Sequence, residues 1–354
     1  MNRPRLLVVT SVHHPDDARI RAKLIPTLAS EWEITYAAPD PGPTDREGLH
    51  WVPLTGSRLA RLRQAVKVIN WEGWDLVALH DPELLVGGLP RSRRGEPTLF
   101  DLHENLPAQL LTKERVPVLF RRPLSALSAW VLRWAEATMA ITLAEPGYSR
   151  LFRAEHPVIA NYLPPSLPAP IPAAEPPFLA YLGDITVVRG AFEALEAAAG
   201  ADMRLVMVGR VSPPTLVEPL RRRAAELGVD LELTGPLPHR QALEVVAGAV
   251  AGLSPLLDID NYRHSLPTKV PEYLALGLPV LASDLPGTRE PVDGLEGVAL
   301  IPAGDASRWR EAGRQLSEDL EGRKRTAEQV DEVRAMFTWP SQEVISVYRK
   351  AARL

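Results

Sequence analysis

The sequence predicts an α/β protein built from two parallel-sheet domains that face each other across a cleft. The chain has 354 residues, which is enough for two domains that each bury a core of their own. Short runs rich in β-branched residues and leucine alternate with longer segments of helical period, as in successive strand–helix–strand units around a parallel sheet. This alternation occurs in both halves of the chain, so each half is predicted to form its own sheet.

Six short runs in each half are predicted to be strands. In the first half they are residues 6–9, 34–36, 76–79, 98–100, 139–141 and 158–160. In the second half they are residues 178–182, 205–208, 231–233, 250–254, 279–282 and 298–300. Open α/β sheets bind ligands at the carboxyl ends of their strands. The residues that follow each run are therefore the candidates for a functional site.

A proline-rich segment separates the two halves. Residues 161–178 contain seven prolines, which block helix and sheet and favour a stiff, extended connector. We therefore predict an N-terminal domain over residues 1–165 and a C-terminal domain over residues 166–335. Residues 336–354 are predicted to form a closing helix, after a break at Pro340, that packs back on the N-terminal domain.

Composition excludes several classes of protein. The formal net charge of −4 argues against nucleic-acid binding, which needs a basic surface to displace phosphate counterions. The chain has no cysteine, which excludes disulfides, thiolate metal sites and cysteine nucleophiles. The apolar stretch near the amino terminus is too short for a signal peptide, and residues 245–257 are too short to span a bilayer. We therefore expect a cytoplasmic protein without a membrane span.

Two segments of the second half have residues suited to a phosphate group. Gly183 follows the first strand there, and Arg189 and Gly190 lie near the start of the next helix. A glycine turn, a helix start and a guanidinium together suit a phosphate, although a glycine turn with a solvated arginine is the alternative. Lys269 and Glu272 are three residues apart, which places both on one face of a first helical turn. Their alternative is an ordinary surface ion pair.

The second of these segments resembles a known family. TKVPEYLALGLPVLASDLPGTRE resembles the donor-site signature of family 4 retaining glycosyltransferases, which have the GT-B fold of two Rossmann-like domains and use nucleotide-diphosphate sugars. The resemblance extends over nearly the whole chain, through HHPDDARI, LHDPELL, DLHENLPAQL, YLGDITVVRG, LVMVGR and LTGPLPHRQALEVVAGAVAGLSPL. It implies an N-terminal acceptor domain, a C-terminal donor domain, a UDP- or GDP-linked sugar as donor, no cofactor and no metal.

The resemblance also implies roles for single residues of the second half. Arg189 and Lys269 would bind the donor diphosphate and assist catalysis, and Glu272 would hold the ribose hydroxyls. Gly183 would pack against the phosphates. Further donor contacts are expected from Gly190, Arg210 and His264. His264 stands where the family has the first glutamate of its Glu-x7-Glu motif, a variant that resembles a subgroup of surface-polysaccharide and lipopolysaccharide assembly.

In the first half, His103 matches the family's histidine near the transferred sugar and is the third predicted catalytic residue, a structural histidine being the alternative. Five further polar residues are expected on the acceptor side or in the cleft: Asp17, Arg19, His80, Asp81 and Glu104. Arg19 and Asp17 follow the first strand, where acceptor or donor-phosphate contacts are expected. Asp81 has an equal alternative as a cap of the helix after Pro82.

Two other features of the sequence each allow two interpretations. Asp258 and Asp260 form a DxD sequence, which in GT-A transferases holds a divalent cation. We expect a solvated turn instead, because the neighbouring cations make a metal redundant. The segment of residues 119–134 mixes arginine with tryptophan and leucine. Core packing is favoured for it, and peripheral contact with the inner face of the membrane is the alternative.

The resemblance therefore implies a retaining glycosyltransferase that acts on a glycan, lipid-linked or small-molecule acceptor without a metal. The alternatives are a nucleotide-sugar epimerase on the same scaffold and an inactive nucleotide-sugar-binding subunit. A dinucleotide oxidoreductase has little support, because no G-x-G-x-x-G follows any predicted strand.

Overall fold

A computed structural model describes residues 3–42, 49–112, 116–164, 167–319 and 321–354. The chain divides into two compact units. Unit 1 comprises Met1–Asn161 and Trp339–Leu354, and unit 2 comprises Tyr162–Thr338. Each unit contains one six-stranded parallel sheet. The predicted α/β class with two parallel sheets is therefore confirmed.

The sheet of unit 1 has the strand order β3-β2-β1-β4-β5-β6. Its strands are β1 (Arg5–Val9), β2 (Glu33–Pro39), β3 (His50–Leu54), β4 (Leu76–Leu79), β5 (Thr98–Leu102) and β6 (Ala140–Leu143). A π-helical turn at Ile20–Leu24 leads into the first of its helices. Those helices are α1 (Ile25–Leu28), α2 (Arg58–Ile69), α3 (Leu85–Arg93), α4 (Leu106–Thr112) and α5 (Val118–Glu136).

Unit 1 contains one strand that was not predicted from the sequence, and among the described residues it lacks one strand that was predicted. The strand His50–Leu54 contains Pro53 and lies at the edge of the sheet, where a residue without a backbone N–H is tolerated. The strand predicted at residues 158–160 is only an isolated bridge between Leu143 and Val158. Pro157, just before this bridge, has no backbone N–H to donate to a neighbouring strand, so the pairing stays short.

The sheet of unit 2 has the order β12-β11-β10-β7-β8-β9. Its strands are β7 (Phe178–Leu182), β8 (Arg204–Val208), β9 (Leu231–Gly235), β10 (Ala251–Ser254), β11 (Val280–Ser283) and β12 (Val298–Ile301). Its helices are α6 (Ala191–Ala201), α7 (Val217–Leu227), α8 (His239–Ala247), α9 (Lys269–Ala275), α10 (Pro286–Val292), α11 (Ala306–Glu318), α12 (Gly322–Glu328) and α13 (Val330–Met336). The last helix, α14 (Ser341–Ala351), belongs to unit 1.

Both sheets are covered on both faces, which explains why their central strands read as continuous apolar runs. In unit 1, Leu7 and Val9 pack on one side of the sheet. Leu6 and Val8 pack on the other side, in the same cluster as Val344 and Tyr348 of α14. In the described part of the chain, no helix is both long and apolar enough to cross a membrane.

Candidate active site

The loop after β7 is shaped by two glycines. Gly183 has φ +107° and Gly190 has φ +77°. Residues other than glycine rarely adopt these backbone angles. A Cβ on Gly190 would lie 1.8 Å from the carbonyl oxygen of Pro255, so only glycine lets the loop approach the end of β10. Between them, Thr186 caps the turn at Val187–Arg189 by accepting a bond from the Arg189 N–H at 3.2 Å. The loop thereby holds Arg189 beside the end of the sheet.

Tyr181 links this loop to Lys269. The tyrosine is fully buried in β7, and its hydroxyl lies 2.9 Å from the Asp184 carbonyl and 3.2 Å from the Arg189 carbonyl. The face of the same ring lies 3.7 Å from the Lys269 ammonium nitrogen, measured to the ring centroid. A cation over an aromatic face is attracted by the ring quadrupole. One side chain therefore positions both cations that the sequence singled out.

Lys269 is a buried lysine whose side-chain nitrogen contacts the face of the Tyr181 ring. Its side chain is 5% exposed, and its ammonium has no hydrogen-bond acceptor among the described residues. The pKa of Lys269 lies well below its usual range, mainly because the side chain is buried and also because Arg189 is a nearby positive charge. A buried ammonium without acceptors is strongly disfavoured, so this position calls for an anion.

Glu272 lies on the same helix, three residues further on and still in its first turn. It is also buried, and it accepts a hydrogen bond from His239 Nε2 at 2.9 Å. The alternative of a surface ion pair between Lys269 and Glu272 is therefore wrong, because both side chains are buried and Lys269 has no acceptor among the described residues. The sequence did not single out His239, although its place at the start of α8, after β9, was a signal.

Two serines at the carboxyl ends of strands were also missed. Ser254 ends β10 and Ser283 ends β11. Both hydroxyls are buried without a hydrogen-bond partner among the described residues. Buried polar groups are nearly always paired, so these hydroxyls are available to a bound ligand. Polar residues at strand ends are the signal that would have found them.

The remaining predicted residues of unit 2 lie at the surface. Arg210 is exposed and sits 3.5 Å from an Asp184 carboxylate oxygen. His264 is exposed, and its backbone abuts Gly287, where a Cβ would lie 2.5 Å away. Asp258 of the DxD sequence accepts two 2.8 Å hydrogen bonds from Arg263. Its carboxylate is therefore engaged by a guanidinium in an exposed turn.

In unit 1, Asp81 organises the loop that follows β1. One carboxylate oxygen accepts bonds from the Thr10 hydroxyl at 2.9 Å and from the backbone N–H of Ser11 at 2.5 Å and of Val12 at 3.2 Å. Asp81 makes no side-chain cap bond to the helical turn that follows it. The capping alternative is therefore wrong, and Asp81 instead joins the end of β4 to the end of β1.

His13 lies between two carboxylates and was not singled out. Its ring nitrogens are 3.3 Å from Asp81 Oδ1 and 3.5 Å from Asp17 Oδ2. Burial opposes protonation, but the bond to Asp17 and the charges of Asp17, Asp81 and Glu104 raise the pKa of His13 to about 9. Although burial disfavours its charge, the pKa of Asp17 is held well below its ordinary value by His13. His13 is therefore an imidazolium near neutral pH.

Arg19 forms a buried ion pair with Asp101. Its Nε and Nη2 donate to the two carboxylate oxygens at 3.1 and 2.9 Å, and Nη1 donates to the Ile159 carbonyl at 2.7 Å. Both side chains are almost wholly buried. Ligand contacts were expected from Arg19, but this geometry commits its guanidinium to the protein interior.

His103, His80 and Asp101 form a hydrogen-bonded cluster. His103 Nε2 lies 2.8 Å from Asp101 Oδ2 and 3.1 Å from His80 Nδ1. Burial lowers the pKa of His103 although Asp101 opposes this, so the ring is neutral and donates Nε2–H to the carboxylate. Its Nδ1 is then an acceptor. His80 Nε2 is buried without a partner in the described ranges.

The same three side chains have donor atoms close enough to suggest a cation site. Both oxygens of Asp101, however, already bind the Arg19 guanidinium, and a 2.8 Å contact to His103 requires a hydrogen on the imidazole. The arrangement is therefore a proton-bridged network. The remaining predicted residue, Glu104, is exposed at the end of this loop.

Part of the chain is similar in sequence to a known family and to one curated protein. Residues 181–319 match a family model described as Glycosyl transferases group 1. The D-inositol 3-phosphate glycosyltransferase of Nocardia farcinica is 30% identical over 175 residues, which cover 46% of this chain and 38% of that protein. The match thus spans well under half the length of this curated relative.

Solved structures resemble the whole chain. The sucrose-phosphate synthase of Thermosynechococcus elongatus superposes with a TM-score of 0.77 at 17% identity, covering 99% of both chains. HepE of Anabaena, solved with UDP and glucose, gives a TM-score of 0.73 at 12% identity, again over 99% of both chains. WaaG, a glycosyltransferase of lipopolysaccharide biosynthesis, gives 0.69 at 12% identity over 97% of this chain and 99% of its own. The chain therefore has the GT-B fold, and its residues 181–319 are similar to the glycosyl transferases group 1 family.

Proposed function

We propose that this protein is a retaining glycosyltransferase that moves a sugar from a nucleotide diphosphate to an acceptor. The observation that carries the proposal is the buried ammonium of Lys269, which has no acceptor in the described structure and lies beside Arg189. A diphosphate would supply the missing acceptors and offset the repulsion between the two cations. The same charges would stabilise the diphosphate as it leaves the sugar.

The surroundings of Lys269 support the rest of a donor site. The buried carboxylate of Glu272, oriented by His239, is suited to accept hydrogen bonds from the ribose hydroxyls. The unpaired hydroxyls of Ser254 and Ser283 offer further polar contacts at the same strand ends. Gly183 leaves space near Arg189, so the phosphates can approach the backbone. All of these residues lie within the matched domain.

For unit 1 we propose that His103 contacts the transferred sugar or the acceptor. Its Nε2 is committed to Asp101, so Nδ1 is the atom left to accept a hydroxyl hydrogen. Arg19 and His80 act through Asp101 and keep the ring in place. Asp17 and Asp81 belong to the adjoining network around His13.

Donor and acceptor classes are part of the proposal. We propose a UDP- or GDP-linked donor, because HepE has been solved with UDP-glucose, and a glycan, lipid-linked or small-molecule acceptor. A surface-polysaccharide role agrees with the likeness to WaaG. The cations Arg189 and Lys269 would take the place of a divalent ion, so EDTA is expected to leave transfer unchanged.

The test is titration of the protein with UDP and GDP by calorimetry. Lys269→Met is expected to weaken binding at least about a hundredfold, as for loss of a buried charged partner. Lys324→Met is the matched control, because Lys324 lies exposed in unit 2. Equal affinity in the two variants would refute the diphosphate assignment.

Product analysis separates the alternatives. A transferase needs an acceptor and gives a glycoside, whose anomeric configuration by NMR reports retention. An epimerase converts UDP-GlcNAc alone into its epimer. An inactive subunit binds the nucleotide sugar without turnover with any acceptor.

A further inference from the structure

Helix α5 presents an apolar face to solvent. Leu119 is 80% exposed and Trp130 59% exposed, and Phe120 and Leu127 are also more than half exposed. With about 3.6 residues per turn, these four positions and Pro123 fall on one side of the helix. The buried residues Leu132 and Ala135 lie on the opposite side and pack into the core of unit 1. The favoured expectation of core packing for the segment 119–134 therefore holds for only one face.

The flank of this face is cationic. Arg122 and Arg133 are both exposed, and because they are eleven residues apart they lie on the same side of the helix, within about 20°. Within α5 (Val118–Glu136), no acidic residue precedes Glu136, the last residue of the helix. The helix thus combines an exposed apolar face with a row of positive charge and no counter-charge along most of its length.

An aromatic pair fixes the tryptophan of this face. Trp130 stacks on Trp134 with the ring centroids 5.7 Å apart, and the Trp134 ring lies 4.1 Å below the Arg93 guanidinium carbon. Trp134 packs partly into the core, so Trp130 is held outward on a rigid base. Tryptophan favours the boundary between lipid headgroups and acyl chains.

We infer that the exposed face of α5 docks on an anionic phospholipid bilayer, with Leu119, Leu127 and Trp130 entering the interface and the arginines contacting headgroup phosphates. A helix with one apolar face and arginine on its polar flank lies in the plane of a membrane surface. Acidic lipids attract such arginines through the surface potential.

A second copy of the chain fits this face less well. An antiparallel pairing of two α5 helices through the apolar face would place the arginine flanks of both on the same side. Like charges would then meet without an acidic partner on either helix. Charge complementarity therefore favours the bilayer.

The position of α5 gives this docking a consequence for function. Helix α4 begins at Leu106, three residues after His103, and α5 follows α4 in unit 1. The helix that would dock on the bilayer therefore belongs to the same unit as the candidate acceptor side, and it follows His103 closely in the sequence. The membrane docking does not depend on the donor site. UDP titration without lipid tests the donor site, and vesicle binding tests the docking.

The experiment is co-sedimentation of the full chain with vesicles of phosphatidylcholine alone or mixed with phosphatidylglycerol. Binding is expected only with the anionic vesicles, and it should fall on going from about 0.1 M to about 1 M salt as charges are screened. Arg122→Gln and Arg133→Gln should each weaken partitioning about fivefold. Leu119→Ser with Trp130→Ser should weaken it at least about tenfold.

The matched controls are Arg63→Gln and Leu59→Ser, both at exposed positions of α2. These are expected to sediment like the original chain, and UDP affinity should be unchanged in every variant. Sedimentation velocity is measured in parallel. Failure of the original chain to bind anionic vesicles would overturn the inference, as would a dimer that the Leu119→Ser, Trp130→Ser variant dissociates.

Discussion

The ammonium nitrogen of Lys269 lies 3.7 Å from the centre of the Tyr181 ring, and the hydroxyl of that ring lies within bonding distance of the Arg189 carbonyl. The ring face stabilises the cation, and the hydroxyl fixes the loop that bears the second cation. Neither function requires a ligand. The proposed donor site is therefore arranged before a nucleotide arrives, which would lower the ordering cost of binding.

Replacing Tyr181 tests this arrangement. Tyr181→Phe keeps the ring and loses the hydroxyl, so UDP affinity should fall about two- to threefold, in line with one neutral hydrogen bond. Tyr181→Leu also loses the cation–π contact, and affinity should fall at least about tenfold. Calorimetry gives both values, with thermal unfolding recorded alongside. Wild-type affinity in a folded Tyr181→Leu protein would show that the ring does not position Lys269.

Substituting Gly190 should lower the stability of the fold. An alanine there needs a left-handed backbone and places a Cβ on the Pro255 carbonyl, so we expect a loss of at least about 3 kcal/mol in the free energy of unfolding. Gly228 is the matched control, since its φ is +71° with nothing within 4 Å of an added Cβ. Gly228→Ala should cost only about 1 kcal/mol. Urea unfolding measures both, and equal losses would exclude the clash with Pro255.

The fold was largely predictable, because buried parallel strands produce continuous apolar runs whose spacing needs no tertiary information. The exceptions depend on neighbours. His50–Leu54 becomes a strand only because β2 offers it an edge. In the site, Lys269 and Glu272 could be predicted from local spacing. The pairing of Arg19 with Asp101 could not, because the two are 82 residues apart and no pattern in either segment specifies where a side chain points.

The ionisation of His13 predicts a pH-dependent stability. Its pKa is about 9 in the folded protein against 6.5 for an ordinary histidine. The raised pKa means that its contribution, at most about 3 kcal/mol, is complete below about pH 6.5 and is lost as the pH rises toward 9. His13→Gln removes this contribution. The unfolding free energies of the original chain and the variant should therefore differ near pH 6 and converge near pH 10, and a constant difference would contradict the assignment.

Lys269 predicts that donor binding takes up a proton. Burial and Arg189 lower its pKa in the free protein, whereas a bound diphosphate would favour the ammonium and raise it again. At pH values between those two pKa values, UDP affinity should fall by up to about tenfold for each unit by which the pH rises.

Calorimetry in two buffers of different ionisation enthalpy counts the protons. Measurements between about pH 8 and pH 9 avoid the second ionisation of the phosphate, near 6. Uptake should persist in Lys324→Met and vanish in Lys269→Met. If Lys269→Met takes up as many protons as the original chain, the proton goes to another group, and the ammonium of Lys269 does not change its charge state when the nucleotide binds.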